Sequence, residues 1–257
     1  MRKPEMLAID LDGTLLDSDK NISERSARVL RQCAERGIII AFATARSRQS
    51  CVRIMKQYAP DVMIADGGAA AHIGEKEVYR RVMPAPAADA IIADCKAAGA
   101  YHITADAVDG YYTNFDDPGF YLDYEHSVFN DFSAPLGLDM YKICAEHSDT
   151  GLLRDIAKKY PNIKMYKFTG DDWVCFMHAE ASKWLAVRAV AETCGADVKN
   201  VVAFGDDHVD VEMLRGCGAG VATANAIPEV VAAADHVALS NDEDGAAVWI
   251  EQNILAG

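Results

Sequence analysis

Met6-Leu7-Ala8-Ile9-Asp10-Leu11-Asp12-Gly13-Thr14 decides how this chain is read. Four apolar residues make a run that suits a short buried strand, and it ends in two acids set two positions apart. On a strand, residues i and i+2 share a face. Past the last strand residue the chain turns, so both carboxylates can converge on one ligand. Acids beside a buried strand cost free energy unless something there requires negative charge. A hard cation such as Mg²⁺, and a carboxylate nucleophile beside an acid/base, both meet that requirement.

Working outward, apolar runs alternate with helical stretches. A strand over 7–10 precedes an amphipathic helix over 23–36 with Ser23 as its cap, and Gly37 ends that helix. A strand over 38–43, a helix over 48–58 and a strand over 62–65 follow, before Gly67-Gly68. Continuous apolar strands separated by helices predict a parallel sheet covered on both faces. The rhythm breaks near Met83-Pro84-Ala85-Pro86. Beyond it come a helix over 87–98, strands over 101–105, 111–114 and 140–145, and a helix over 150–160. A hairpin over 163–168 and 173–178 crosses Thr169-Gly170-Asp171-Asp172. The alternation returns from Lys183: helices over 184–194, 209–215 and 227–233, and strands over 201–204, 219–222 and 236–239. The expected architecture is an α/β, Rossmannoid parallel-sheet core (1–82 and 180–257) with an α+β domain inserted over 83–179.

The 257 residues are 51% hydrophobic and 25% charged, which describes an ordinary globular chain able to bury a substantial core. A net charge of −14 argues against a nucleic-acid partner, because no basic surplus exists to neutralise phosphates. A phosphorylated small molecule remains compatible, since a metal, a lysine and backbone amides can meet its charge locally. Seven dispersed cysteines read as free thiols in a reducing compartment. The first residues run straight into a strand without room for a signal peptide, and no apolar run is long enough to span a bilayer. The expectation is a cytoplasmic protein with no membrane partner; its oligomeric state is not legible.

In an open parallel sheet, ligands bind beyond the carboxyl ends of the strands. Four polar elements fall at or near such positions: Asp10 and Asp12; Thr44-Ala45-Arg46; Gly205-Asp206-Asp207-His208-Val209-Asp210; and Lys183, which opens the helix after the insertion. In order, Asp10-x-Asp12-Gly13-Thr14, Thr44, Lys183 and Gly205-Asp206-x-x-x-Asp210 resemble the four motifs of the haloacid dehalogenase-like hydrolases. The insertion between the second and third motifs resembles the C2B-type cap of the Cof-type phosphatases in that superfamily. Asn225-Ala226-x-x-Glu229, Ala234-Asp235 and Asn241-Asp242-Glu243-Asp244-Gly245 look like the same subgroup.

The resemblance implies a Mg²⁺-dependent phosphomonoesterase acting on a small phosphorylated metabolite such as a sugar phosphate. Asp10 would attack phosphorus and form an aspartyl-phosphate. Asp12 would protonate the leaving alcohol and later deprotonate water. Asp10, the Asp12 main-chain carbonyl and Asp206 would hold Mg²⁺, with Asp210 as ligand or water-holder. Thr44 and Lys183 would bind phosphoryl oxygens, with Asn225 as a further phosphate-side or supporting contact. Arg46 reads equally as a substrate clamp or a surface arginine, and His208 as a loop histidine without partners at zinc spacing.

Three departures stand out. Val209 replaces a usual Asn that would help orient Lys183, Ala45 replaces a Gly, and Asp66 replaces an Asn after the third strand. Two rivals remain. A phosphotransferase or mutase of the same superfamily would need a basic cluster in the insertion, where the cations are spaced like surface charge. A silent phospho-ligand-binding regulator would be expected to have lost Asp10 or Asp12. Eight of the 21 aromatic residues lie between Tyr111 and Phe132: Tyr111, Tyr112, Phe115, Phe120, Tyr121, Tyr124, Phe129 and Phe132. Most read as the small domain's own core, with one or two near Asp116-Asp117-Pro118-Gly119 facing a ligand.

Overall fold

The apolar run that opens the chain forms β1 (Met6–Ile9), and all four of its residues are buried. The computed structural model describes residues 3–116, 127–168 and 172–256. It divides into two compact units: Met1–Arg80 with Ser182–Gly257, and Arg81–Ala181.

The first unit begins with β1, α1 (Glu24–Glu35), β2 (Ile39–Ala43), α2 (Val52–Gln57), β3 (Val62–Ala65), β4 (Ala70–Ile73) and β5 (Lys76–Arg80). The second unit supplies α3 (Ala85–Ala98), β6 (His102–Ala107), β7 (Gly110–Thr113), β8 (Ser127–Phe129), β9 (Met140–Glu146), α4 (Thr150–Ala157), β10 (Ile163–Lys167) and β11 (Trp173–His178). The first unit resumes with α5 (Lys183–Thr193), β12 (Val201–Gly205), α6 (Val211–Gly216), β13 (Ala219–Ala222), α7 (Pro228–Ala233), β14 (His236–Val237) and α8 (Gly245–Ile250).

The first unit's sheet has the order β14-β13-β12-β1-β2-β3-β4-β5. Its strands pair in parallel from β14 to β3, whereas β4 and β5 add antiparallel. Alternation sends β1 side chains to both faces. Leu7 and Ile9 join a cluster with Val29 and Leu30 of α1 and Trp249 of α8. Met6 and Ala8 join another with Val187 and Val190 of α5 and Leu214 of α6. Each large side chain buried this way is worth about 1.5–3 kcal/mol, so helices on both faces are what hold β1 at the centre. Ser23 caps α1, its hydroxyl accepting from Ser26 N at 2.9 Å.

The sheet is therefore mixed at one edge: the β4–β5 hairpin stands where the sequence pattern shows no strands. The stretch over 48–58 is a 3₁₀ turn (Gln49–Cys51) running into a shorter α2, and β14 is two residues long. The C-terminal α8, continued by a π turn (Glu251–Leu255), was also not foreseen.

The second unit is a six-stranded sheet, β10-β11-β9-β6-β7-β8, antiparallel except where β8 pairs parallel with β7. Ile103, Ala105, Ile143, Ala145, Val174 and Phe176 line one face and pack on α3 and α4. Among the singled-out aromatics, Tyr111 and Phe132 are buried, Tyr112 packs against this core, and Phe129 is 63% exposed. Phe115 lies tilted against His102 and Trp173. Phe120, Tyr121 and Tyr124, and the turn residues Thr169, Gly170 and Asp171, lie outside the described residues. Among the described residues, no helix is long and apolar enough to cross a membrane.

Candidate active site

Asp10 follows the last residue of β1, its amide donating to Phe204 O of β12 at 3.1 Å. The two central strands thus deliver Asp10 and the 206–210 turn side by side. Lys183, the first residue of α5, is 1% exposed and lies between them. Its Nζ donates to Asp10 Oδ1 at 2.5 Å and to Asp210 Oδ1 at 2.6 Å. Ser182 caps α5 by accepting from Leu185 N at 3.1 Å, which fixes where the lysine leaves the backbone.

Asp210 turns its other oxygen back on its own loop, where Oδ2 accepts from the amides of Asp206 (3.1 Å) and Asp207 (3.2 Å). Asp206 accepts from the Thr14 hydroxyl at 3.2 Å. Asp10, Asp206 and Asp210 each offer a carboxylate oxygen within 4.8 Å of the others. Three carboxylates thus share one ammonium. Burial, then the neighbouring Asp210 and Asp206 charges, push Asp10 well above the usual carboxylate range despite Lys183. Burial and Asp210 push Asp206 up to about 6. For Lys183, burial favours the neutral amine, but Asp10 and Asp210 outweigh it and keep the ammonium charged. The cluster is short of positive charge, and its hard oxygen donors suit a divalent cation.

Asp12 belongs to a separate constellation. Arg46 grips it with both prongs, Nε to Oδ2 at 2.6 Å and Nη2 to Oδ1 at 2.9 Å, and Lys20 Nζ reaches Oδ1 at 2.9 Å. Burial would raise this carboxyl, yet the two cations outweigh it and bring it down to about 2. Of the two readings open for Arg46, neither names this contact: the guanidinium serves the second acid of the opening pair. Lys20, at φ 62°, was missed altogether, because its reach depends on the turn that follows the motif.

The remaining candidates hold the loops. Thr44 is 1% exposed and its hydroxyl accepts from Arg46 N at 3.0 Å, shaping the turn that aims Arg46. Asn225 is engaged at both ends, Nδ2 donating to Gly13 O at 2.8 Å and Oδ1 accepting from Asn241 N at 3.0 Å. It braces the loop that carries Asp12. Asn241 adds Nδ2 to Leu16 O at 2.9 Å, so the acidic C-terminal stretch also props that loop. His208 is exposed and pairs with Glu229 at 2.7 Å. With Val209 where the resemblance leads to Asn, Lys183 is held by two carboxylates, those of Asp10 and Asp210.

Two glycines allow the close approaches. Gly13 has φ +79°, and a Cβ there would lie 2.2 Å from Asp206 Oδ2. Gly68 has φ +87°, and a Cβ there would lie 2.2 Å from the Ser182 carbonyl carbon, at the cap of α5. Gly68→Ala therefore combines left-handed strain with overpacking against backbone and costs about 3 kcal/mol. A urea titration reads this as a lower midpoint at unchanged slope. A variant as stable as the parent would show that the α5 cap is not tightly set against this turn.

A family model described as haloacid dehalogenase-like hydrolase matches residues 7–250. The chain is 24% identical over 263 residues to a Bacillus subtilis protein named 5-amino-6-(5-phospho-D-ribitylamino)uracil phosphatase, covering 97% of each. It is 28% identical over 253 residues to an Escherichia coli HMP-PP phosphatase, covering 90% of this chain and 88% of that one. Among solved structures, a haloacid dehalogenase-like hydrolase from B. subtilis superposes with a TM-score of 0.86 at 22% identity, covering 97% of this chain and 99% of that one. One from Bacteroides thetaiotaomicron superposes with a TM-score of 0.85 at 24% identity, with coverage of 97% and 99%. Likeness at that identity speaks for the fold.

Proposed function

Because the chain belongs to the haloacid dehalogenase-like hydrolase family, we propose that it is a metal-dependent phosphomonoesterase acting on a small phosphorylated metabolite, with the Arg81–Ala181 unit as its cap. The observation that carries this reading is the buried Lys183, held between Asp10 and Asp210 with the Asp206 carboxylate in the same cluster. The phosphatase names of two relatives that align along most of the chain support it.

Asp10 is the nucleophile. Lys183 occupies its Oδ1, so attack on phosphorus falls to Oδ2 and gives an aspartyl-phosphate as the ester P–O bond breaks. Lys183 holds the attacking group in place and balances charge as phosphoryl oxygens arrive. Asp12 protonates the departing alkoxide and then takes a proton from the water that cleaves the acyl phosphate. With its pKa at about 2 in the grip of Arg46 and Lys20, Asp12 carries a proton only when one of those cations lets go. Thr44 lies at the end of β2, where its hydroxyl can meet a phosphoryl oxygen.

Asp10 and Asp206, with the main-chain carbonyl of Asp12, would hold Mg²⁺, and Asp210 would anchor the loop behind them. When bound, the cation supplies the positive charge that lets an anionic nucleophile approach an anionic ester.

The test is phosphate release from a panel of sugar phosphates, nucleotides, phosphorylated heterocycles and p-nitrophenyl phosphate, run with chelator and then with Mg²⁺ restored. Turnover of at least one ester, lost with chelator and recovered with Mg²⁺, is expected. Silence across the panel with Mg²⁺, Mn²⁺ and Co²⁺ would overturn the hydrolase reading. Activity indifferent to chelator would overturn the metal.

A further inference from the structure

The face of the second unit's sheet that points away from α3 and α4 carries a row of paired polar side chains. Tyr166 on β10 stands opposite Cys175 on β11, Cys175 opposite Cys144 on β9, and Cys144 opposite Thr104 on β6. Of the seven cysteines, these two face each other across adjacent strands. His147 N donates to Asp172 O at 3.1 Å, which marks residues 147 and 172 as a hydrogen-bonded pair. Pair types alternate along an antiparallel ladder, so Cys144 and Cys175, three steps further on, form a non-hydrogen-bonded pair. Such pairs bring Cα atoms to about 4.5 Å. That lies inside the span of about 4.4–6.8 Å a disulfide needs, so the backbone need not move to bridge them.

The chemistry of the row favours the same bond. Both sulfurs are buried side by side, and Tyr166 stands next to Cys175 on the neighbouring strand. Lys142 lies on the same face two residues before Cys144, 6% exposed, with its Nζ 3.5 Å from Asp106 Oδ2. Burial would raise Cys175, but the Cys144 thiol and the Lys142 ammonium hold it below the usual thiol value. Cys144 is correspondingly raised, by the Cys175 thiol beside it and by burial. One sulfur is therefore disposed to attack, and its neighbour to resolve. By contrast, burial pushes Cys33 up to about 11 and Cys95 and Cys217 up to about 12, and each lacks a facing thiol.

We propose that Cys144 and Cys175 form a redox-active dithiol that closes to an intrachain disulfide under a two-electron oxidant of the peroxide class. The Cys175 thiolate attacks a peroxide oxygen, the O–O bond breaks, and Cys175 becomes a sulfenic acid as hydroxide leaves. The Cys144 sulfur then attacks that sulfur, the S–O bond breaks, and the departing oxygen carries off the Cys144 proton as water. Two thiols and one hydrogen peroxide give one disulfide and two waters. Thiol reductants reverse it by exchange. Because both sulfurs are buried, a small uncharged oxidant is favoured over a bulky disulfide.

The experiment treats the full chain with a small excess of hydrogen peroxide, then alkylates it in denaturant and maps the peptides by mass spectrometry. Two of the seven cysteines should escape alkylation, in one cross-linked pair joining Cys144 to Cys175, and dithiothreitol should restore all seven. In Cys144→Ser, peroxide should instead leave a Cys175 sulfenic acid that dimedone captures. Full alkylation after peroxide would overturn the proposal, as would thiol loss spread over Cys33, Cys51, Cys95, Cys194 and Cys217. So would over-oxidation of Cys175 in the parent chain without a cross-link. The parent chain's map decides the matter even where the serine variant does not fold.

Discussion

Asp10→Asn should lower phosphate release by at least about four orders of magnitude in kcat while leaving the protein folded. The carboxamide matches the carboxylate in shape but carries no anionic oxygen to attack phosphorus. The stability control has a definite sign. Asp10 is buried with Asp206 and Asp210 around a single ammonium, and its carboxyl is held well above its ordinary value. Removing that charge relieves repulsion, so the melting temperature in chelator should hold or rise. Stopped turnover with an unchanged or higher melting temperature assigns the loss to chemistry. Wild-type turnover in this variant would end the nucleophile assignment.

Lys183→Met should have the largest effect on stability. Methionine is nearly as long but leaves Asp10, Asp206 and Asp210 with no cation among them. Breaking a buried ion pair from one side costs about 3–5 kcal/mol. For a chain of this size that is a fall in melting temperature of roughly 10 °C in chelator. The pH dependence follows from the sign of the shifts. Asp206, already raised to about 6 with the lysine present, binds its proton more tightly folded than unfolded. Stability lost at pH 8 should therefore return as pH falls through 6 towards the ordinary carboxylate range. Asp210→Asn in the same background should restore part of it. A melting temperature independent of both lysine and pH would mean that the cluster is better solvated than its burial indicates.

What the sequence disclosed, and what it withheld, divides along physical lines. The parallel strands were legible because burial on both faces writes a continuous apolar run, as in Ile40-Ala41-Phe42-Ala43. The acids were legible because they interrupt such runs. The β4–β5 hairpin was not: Ala70-Ala71-His72-Ile73 and Lys76-Glu77-Val78-Tyr79-Arg80 show neither clean alternation nor sustained apolarity at the sheet's edge. The stretch over 245–250 is short and follows an acidic run, so its place against β1 and α1 comes from packing alone. The two-pronged hold of Arg46 on Asp12 joins residues 34 positions apart, and no local pattern encodes it. Nor does spacing reveal that Asn225 turns to Gly13 and Asn241.

The strand order of the first unit also bears on how the chain is made. β1 sits between β2 and β12, and the latter begins at residue 201. On a ribosome adding about 5–20 residues per second, β1 and β2 emerge roughly 10–40 s before the strand that completes their ladder. During that interval four apolar residues present an unpaired edge, the kind of surface to which chaperones and other nascent chains adhere. The second unit has no such wait, since all of its strands emerge before β12. Its folding can therefore proceed at once, while the nucleophile's own strand remains half-built until the last quarter of the protein arrives.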